Sequence, residues 1–165
     1  MSDTNDRFGA SRGLLLELLT YYIHDTPDCR IEWNYKRNQN QIDALSISPN
    51  EIRFFECKLP LNEQTTLDEI KVEAKKFKDK VDNLTKDTPF CNEWNYDKRI
   101  PKIFTFVAWK RPRDFVLRYL DTVSIDVIVL SEQLKYLPKL QGKNIDTIKL
   151  VFSDVPPRIK YNANH

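Results

Sequence analysis

Apolar residues recur along the chain with two periods, and the switches between them mark its elements. Leu15, Leu18, Leu19 and Tyr22 fall at helical spacing behind a possible cap at Ser11, which predicts a helix over 11–24. Ile31, Trp33 and Tyr35 then alternate as in a strand over 29–35. The polar segment KRNQN turns the chain into a second strand at 41–48. Ser48-Pro49-Asn50-Glu51 turns it again, into a third strand at 52–59. The clearest helix follows: Thr66 and Glu69 form a capping box, and Leu67, Ile70, Ala74, Phe77, Val81 and Leu84 recur at steps of three and four. A loop is expected over 85–101, a buried strand at 102–109, and a helix over 113–123 that opens just after Pro112. A strand at 126–130, a short helix at 132–140 and a last strand at 146–152 complete the order.

Antiparallel strands followed by alternating helix and strand predict an α/β fold, an α/β/α sandwich around a mixed central sheet. The expected organisation is a single domain over 11–155, with a flexible N-terminus at 1–10 and a flexible C-terminal tail at 156–165. EWNYKR (32–37) and EWNYDKR (93–99) resemble each other, but their flanks do not match, so no duplication is read from them.

Composition narrows the classes. The chain has 165 residues, 41% of them hydrophobic, enough for one domain with a genuine core. Three glycines cannot assemble a Gly-rich phosphate loop or a dinucleotide fingerprint. A net charge of +2 is too slight to argue for nucleic acid by itself. Cys29, Cys57 and Cys91 form no CxxC pair, which argues against a disulfide framework and a structural zinc site, and makes a reducing cytoplasm the expected compartment. The apolar stretch from Leu14 to Ile23 is broken by Glu17 and Thr20 and is too short for a bilayer, so no membrane association is expected.

The chemistry concentrates on the hairpin. Glu56 and Lys58 lie two apart on one strand, hence on one face, about 7 Å from each other. Pro49 cannot take the positive φ of a tight type I′ turn, which favours a four-residue connection. A turn symmetric about Pro49-Asn50 pairs Ile47 with Ile52 and sets Asp43 opposite Glu56, Cβ atoms about 5 Å apart. Two carboxylates so close repel unless a cation lies between them. A hard divalent ion removes that cost, and the Lys58 ammonium helps further. Solvated charges on a surface hairpin would be the plain alternative, but Ile42, Ala44, Leu45, Phe54 and Phe55 around them point to strands near the core.

Asp43 in I-D-A-L, followed by Glu56 and Lys58 in E-C-K, resembles the PD-(D/E)XK, restriction-endonuclease-like nucleases, with Ile42 in place of the proline that names the motif. The resemblance covers the element order from the first helix to about Leu130. Holliday-junction resolvases are similar in a Glu on the first helix, as are nuclease domains of CRISPR-associated effectors, whose helix and N-x-I-D patterns GLLLE and NQIDAL resemble. It implies a Mg²⁺- or Mn²⁺-dependent endonuclease acting on nucleic acid, DNA first, with Asp43 and Glu56 as metal ligands and Lys58 positioning the attacking water. It further implies a metal contact from the Cys57 backbone carbonyl and a contribution from Glu17 on the first helix. Glu17 interrupts an apolar stretch, although an exposed stripe accounts for it as well. The glutamine or second lysine that some branches carry on the next helix matches no residue unambiguously. A catalytically silent nuclease-fold module that binds nucleic acid or a protein partner is the alternative function.

Nucleic-acid contacts are expected from Lys110, Arg111 and Arg113 after the 102–109 strand, from Lys36 and Arg37 in the KRNQN turn, and from Gln41 on the Asp43 face. Lys71, Lys75, Lys76, Lys78 and Lys80 on the long helix are read as a solvated face, because Glu73, Asp79 and Asp82 interleave with them. A single domain offers one active site, so cutting two strands would need a homodimer or a partner protein that supplies recognition.

Overall fold

A computed structural model of the chain describes residues 29–58 and 65–133, together with Gly13, Leu16, Leu19 and Thr20. Within these residues the order is β1 (Arg30–Arg37), β2 (Asn40–Ile47), β3 (Ile52–Cys57), α1 (Leu67–Lys86), α2 (Thr88–Trp94), β4 (Lys102–Ala108), α3 (Asp114–Thr122), β5 (Ile125–Val129) and α4 (Leu130–Gln133). The five strands form one sheet in sequence order. β1, β2 and β3 run antiparallel, and β4 and β5 add parallel to β3, which is the expected mixed sheet. The result is an α/β/α sandwich. No described helix is long and apolar enough to cross a membrane.

Alternation in the strands builds two cores. Ile52, Phe54 and Phe106 face α1, α2 and α3, where Ile70, Phe77, Val81, Phe90, Val116 and Leu120 close over them. Ala44, Phe55 and Val107 face the other way, onto Leu16, Leu19 and Leu130. The four described N-terminal positions, Gly13, Leu16, Leu19 and Thr20, are helical, in keeping with the helix expected over 11–24. In α1 the expected capping box forms: Glu69 N donates to Thr66 Oγ1 and Thr66 N donates to Glu69 Oε2. Phe77 stacks on Phe106 at 5.3 Å between ring centroids, which fixes the rotation of α1 against the sheet.

The structure departs from the expected elements in two places. β1 runs on to Arg37, so Lys36 and Arg37 belong to a strand rather than a loop. The turn is Asn38-Gln39, both with positive φ, the conformation that a two-residue hairpin connection demands. Residues 88–94 of the expected loop form α2, where Asp87 accepts from Phe90 N, Pro89 stands in the first turn and Asn95 closes the helix in the left-handed region. The expected strand at 146–152 and most of the helix at 132–140 lie outside the described residues. The two similar EWNY segments take unrelated conformations, one in β1 and one at the end of α2.

Candidate functional site

The β2–β3 register is the expected one, with Ile47 against Ile52 and Ala44 against Phe55, joined by the four residues 48–51. Continuing that count brings Asp43 level with Glu56, but the ladder stops one row short. The β1–β2 ladder also skips Asp43, because Asn34 opposite it takes a positive φ of 53°. The strand changes phase at this point: Ile42 packs on the helix side, whereas Ala44, two residues on, packs on the other. Strict alternation therefore fails across Asp43, and the inference that Gln41 shares its face does not carry over. Released from both ladders, the Asp43 carboxylate accepts a hydrogen bond from Cys57 N at 2.6 Å. The hairpin thus opens where its two acids meet.

Glu56 follows Ile52 and Phe54 on the helix-facing side of β3 and is only 4% exposed. Its Oε1 lies 2.5 Å from Lys80 Nζ and its Oε2 3.5 Å from Lys58 Nζ. Lys58 reaches further, to Glu73 Oε2 at 2.6 Å. Lys80 also donates to the Gln41 carbonyl at 3.0 Å, tying α1 to both strands of the hairpin. Glu73 and Lys80 stand seven apart on α1, two turns on one side, with buried Phe77 between them. The helix so presents to Glu56 and Lys58 of β3 the complementary order of charges, lysine to glutamate and glutamate to lysine.

Burial pushes the Glu56 carboxyl up from its ordinary value, and the charge of Asp43 adds to that, while Lys80 and Lys58 hold it back. For Lys58 burial works downward, but Glu73, Glu56 and Asp43 outweigh it, and the ammonium is stabilised above its usual range. Burial works upward on Glu73, and Lys58, with Lys76 and Lys80, more than offsets this, leaving it below the ordinary carboxylate range. Lys58 is therefore a firmly charged group at the rim of a buried carboxylate.

Lys80 and Glu73 are the site residues that sequence reasoning misses. Lys80 lies on α1, the helix after the hairpin, where the sequence singles out no residue. Composition places it among five solvated lysines, and its spacing of seven from Glu73 is the available signal. Glu17 lies outside the described residues. Cys57 directs its side chain to the opposite face, as expected, where its sulfur lies 3.6 Å from Thr20 Oγ1.

The expected nucleic-acid contacts divide. Lys110, Arg111 and Arg113 are exposed just after β4, and Lys58 N bonds to Val107 O of that strand, so the cluster stands at the same end of the sheet as Lys58. Arg111 also pairs with Glu132 at 3.5 Å. Arg37, by contrast, is committed to Asp87 at 2.5 Å and Glu93 at 3.8 Å, pinning β1 to α2. Lys36 stands opposite Gln41 across β1–β2, and the Gln41 side chain bonds to Asn34.

Among the described residues no group of three or more His, Cys, Asp or Glu side chains is arranged to hold a metal. Mg²⁺ commonly takes only one or two carboxylates from the protein and completes its shell with water and phosphate oxygens, so the Asp43–Glu56 pair suits it by donor chemistry. No family model matches the chain, and no curated protein matches it. Among solved structures it is similar to one titled "Crystal Structure of Protein of Unknown Function AF1548", at 14% identity and a TM-score of 0.48 over 83% of this chain. The chain spans 64% of that protein's length, and the likeness is too slight to bear on function.

Proposed function

We propose that this chain is a nuclease-fold module that engages a phosphate of nucleic acid, DNA being the expected polymer, at the cluster of Asp43, Glu56, Lys58 and Lys80. The observation that carries the proposal is the buried Glu56 carboxylate, set beside Asp43 and between two ammonium groups. In its catalytic form the module is a Mg²⁺- or Mn²⁺-dependent endonuclease. A bound cation would supply an activated water and a counter-charge for the pentavalent phosphate. Asp43 and Glu56 would hold it, with the Cys57 carbonyl and Glu17 as the further contacts that the family resemblance implies. Lys58 orients the nucleophile and offsets charge developing on the phosphate. One site per chain implies a homodimer or a partner protein wherever both strands are cut.

The second reading is a module that binds nucleic acid or a protein partner without turnover. Two observations favour it: among the described residues no three His, Cys, Asp or Glu side chains are arranged to hold a metal, and both Glu56 oxygens already face ammonium groups. The ion pairs around Glu56 support binding more strongly than turnover. The intact set of Asp43, Glu56 and Lys58 supports turnover. The deciding experiment incubates the protein with plasmid, single-stranded DNA, branched DNA and RNA, with Mn²⁺ and with EDTA. Nicking that needs Mn²⁺ supports the catalytic form, and nucleic-acid binding without nicking supports the silent one. Neither binding nor nicking on any substrate overturns the nucleic-acid function in both forms and leaves only a protein partner.

Substrate engagement is expected to run through Lys110, Arg111 and Arg113. Replacing all three by alanine should weaken binding to any sequence and flatten its salt dependence, by about one unit of slope for each phosphate no longer neutralised. Fluorescence anisotropy over a salt series measures this, and an unchanged slope would move the binding surface to Lys36 and the lysines of α1.

A further inference from the structure

We infer that Lys80 is the resident cation of the Glu56 site, and that a divalent ion must displace it from the carboxylate in order to bind. The inference rests on the reading of Asp43 and Glu56 as a cation site and adds to it a competitor carried by the protein itself. The Lys80 ammonium is 2.5 Å from Glu56 Oε1 and is anchored to the same hairpin through the Gln41 carbonyl at 3.0 Å. Glu56 is almost wholly buried, so an uncompensated negative charge there would be costly and the ionised carboxylate needs a cation beside it. Lys58 does not meet that need alone, because its ammonium lies closer to Glu73, at 2.6 Å, than to Glu56, at 3.5 Å. Lys80 therefore provides the nearer counter-charge. A divalent ion coordinated by the same carboxylate would stand within a few ångströms of that ammonium, and two cations so close repel strongly. The Lys80 side chain is about one-third exposed on a flexible four-carbon stem, which lets it swing towards solvent or an arriving phosphate oxygen.

The consequence is a competition that can be measured without turnover. Lys80→Met removes the ammonium and keeps the apolar stem, and Lys80→Gln keeps a donor for the Gln41 carbonyl without the charge. Calorimetric titration of metal-stripped protein with Mn²⁺ should give an affinity about tenfold tighter in both variants than in wild type, within the usual range for coupled binding. Lys76→Met is the control. It removes one positive charge from the same helix, and Lys76 contacts Glu73 at 3.8 Å rather than Glu56. It should change Mn²⁺ affinity less than about twofold, as expected for an exposed charge. In EDTA both Lys80 variants should melt below wild type, and Mn²⁺ should raise their melting temperature by more than it raises that of wild type. Equal or weaker Mn²⁺ binding in the Lys80 variants, or an equal gain in Lys76→Met, overturns the inference. If wild type binds no Mn²⁺ and the Lys80 variants do, the inference stands and the metal-dependent reading of the native protein fails. If none of them binds, both fail.

Discussion

In the proposed catalytic form, Lys58→Ala is expected to slow phosphodiester cleavage by about 100- to 1000-fold, the usual cost of removing one group that stabilises transition-state charge. Nucleic-acid binding should stay nearly intact, and cation binding should not weaken. The separation follows from the ion pairs. Lys58 is not a metal ligand, Glu56 keeps Lys80 as its counter-charge, and Glu73 keeps Lys76 within 3.8 Å. Removing the Lys58 ammonium therefore leaves neither carboxylate alone. Single-turnover rates, measured beside anisotropy for binding, test the split. A variant that cuts as fast as wild type gives Lys58 no catalytic role.

The second large effect is on the fold. Phe77→Ala should destabilise the protein by about 3–5 kcal/mol, since it removes a fully buried aromatic and leaves a cavity between helix and sheet. Phe77 is 1% exposed, stacks on Phe106 and meets Phe104 edge-on at 5.6 Å. A loss of that size is a large fraction of a domain's typical stability. Phe77 also stands between Glu73 and Lys80, so its removal should loosen the charge pairs that the helix presents to β3. Val72→Ala on the same helix, 52% exposed, should change stability by no more than about 0.5 kcal/mol. Urea denaturation of the two variants, compared at their midpoints, makes the measurement. Similar midpoints would mean that α1 is not clamped through Phe77.

Those two residues also show what the sequence can and cannot convey. The register of the hairpin is legible, because a turn centred on Pro49-Asn50 gives the same pairing whether the connection has two residues or four. The α1 stripe is legible too, since Thr66 and Glu69 fix its start and the apolar period fixes its buried side. The neighbours of that stripe are not legible. Lys80 has other lysines around it on α1 with the same local composition, and beyond its spacing from Glu73 it is the rotation of the helix, set by Phe77 against Phe106, that singles it out. That rotation is a tertiary fact. The break at Asp43 is hidden for a similar reason: it follows from the left-handed Asn34 on the neighbouring strand, which no alternation count reveals. The α2 helix escapes a sequence reading although Asp87 and Pro89 signal its start, because seven residues are too few to display a period. Arg37 reads as a free turn residue, and its two acidic partners come from a segment fifty residues away.

The proposed function rests on Asp43 and Glu56 together forming a site for a divalent cation. The most direct test is calorimetric titration of Mn²⁺ into metal-stripped protein with a non-cleavable phosphorothioate oligonucleotide present, comparing wild type with the Asp43→Ala, Glu56→Ala double variant. Saturable one-site binding is expected in wild type and none in the variant. Identical binding curves for the two proteins would contradict it.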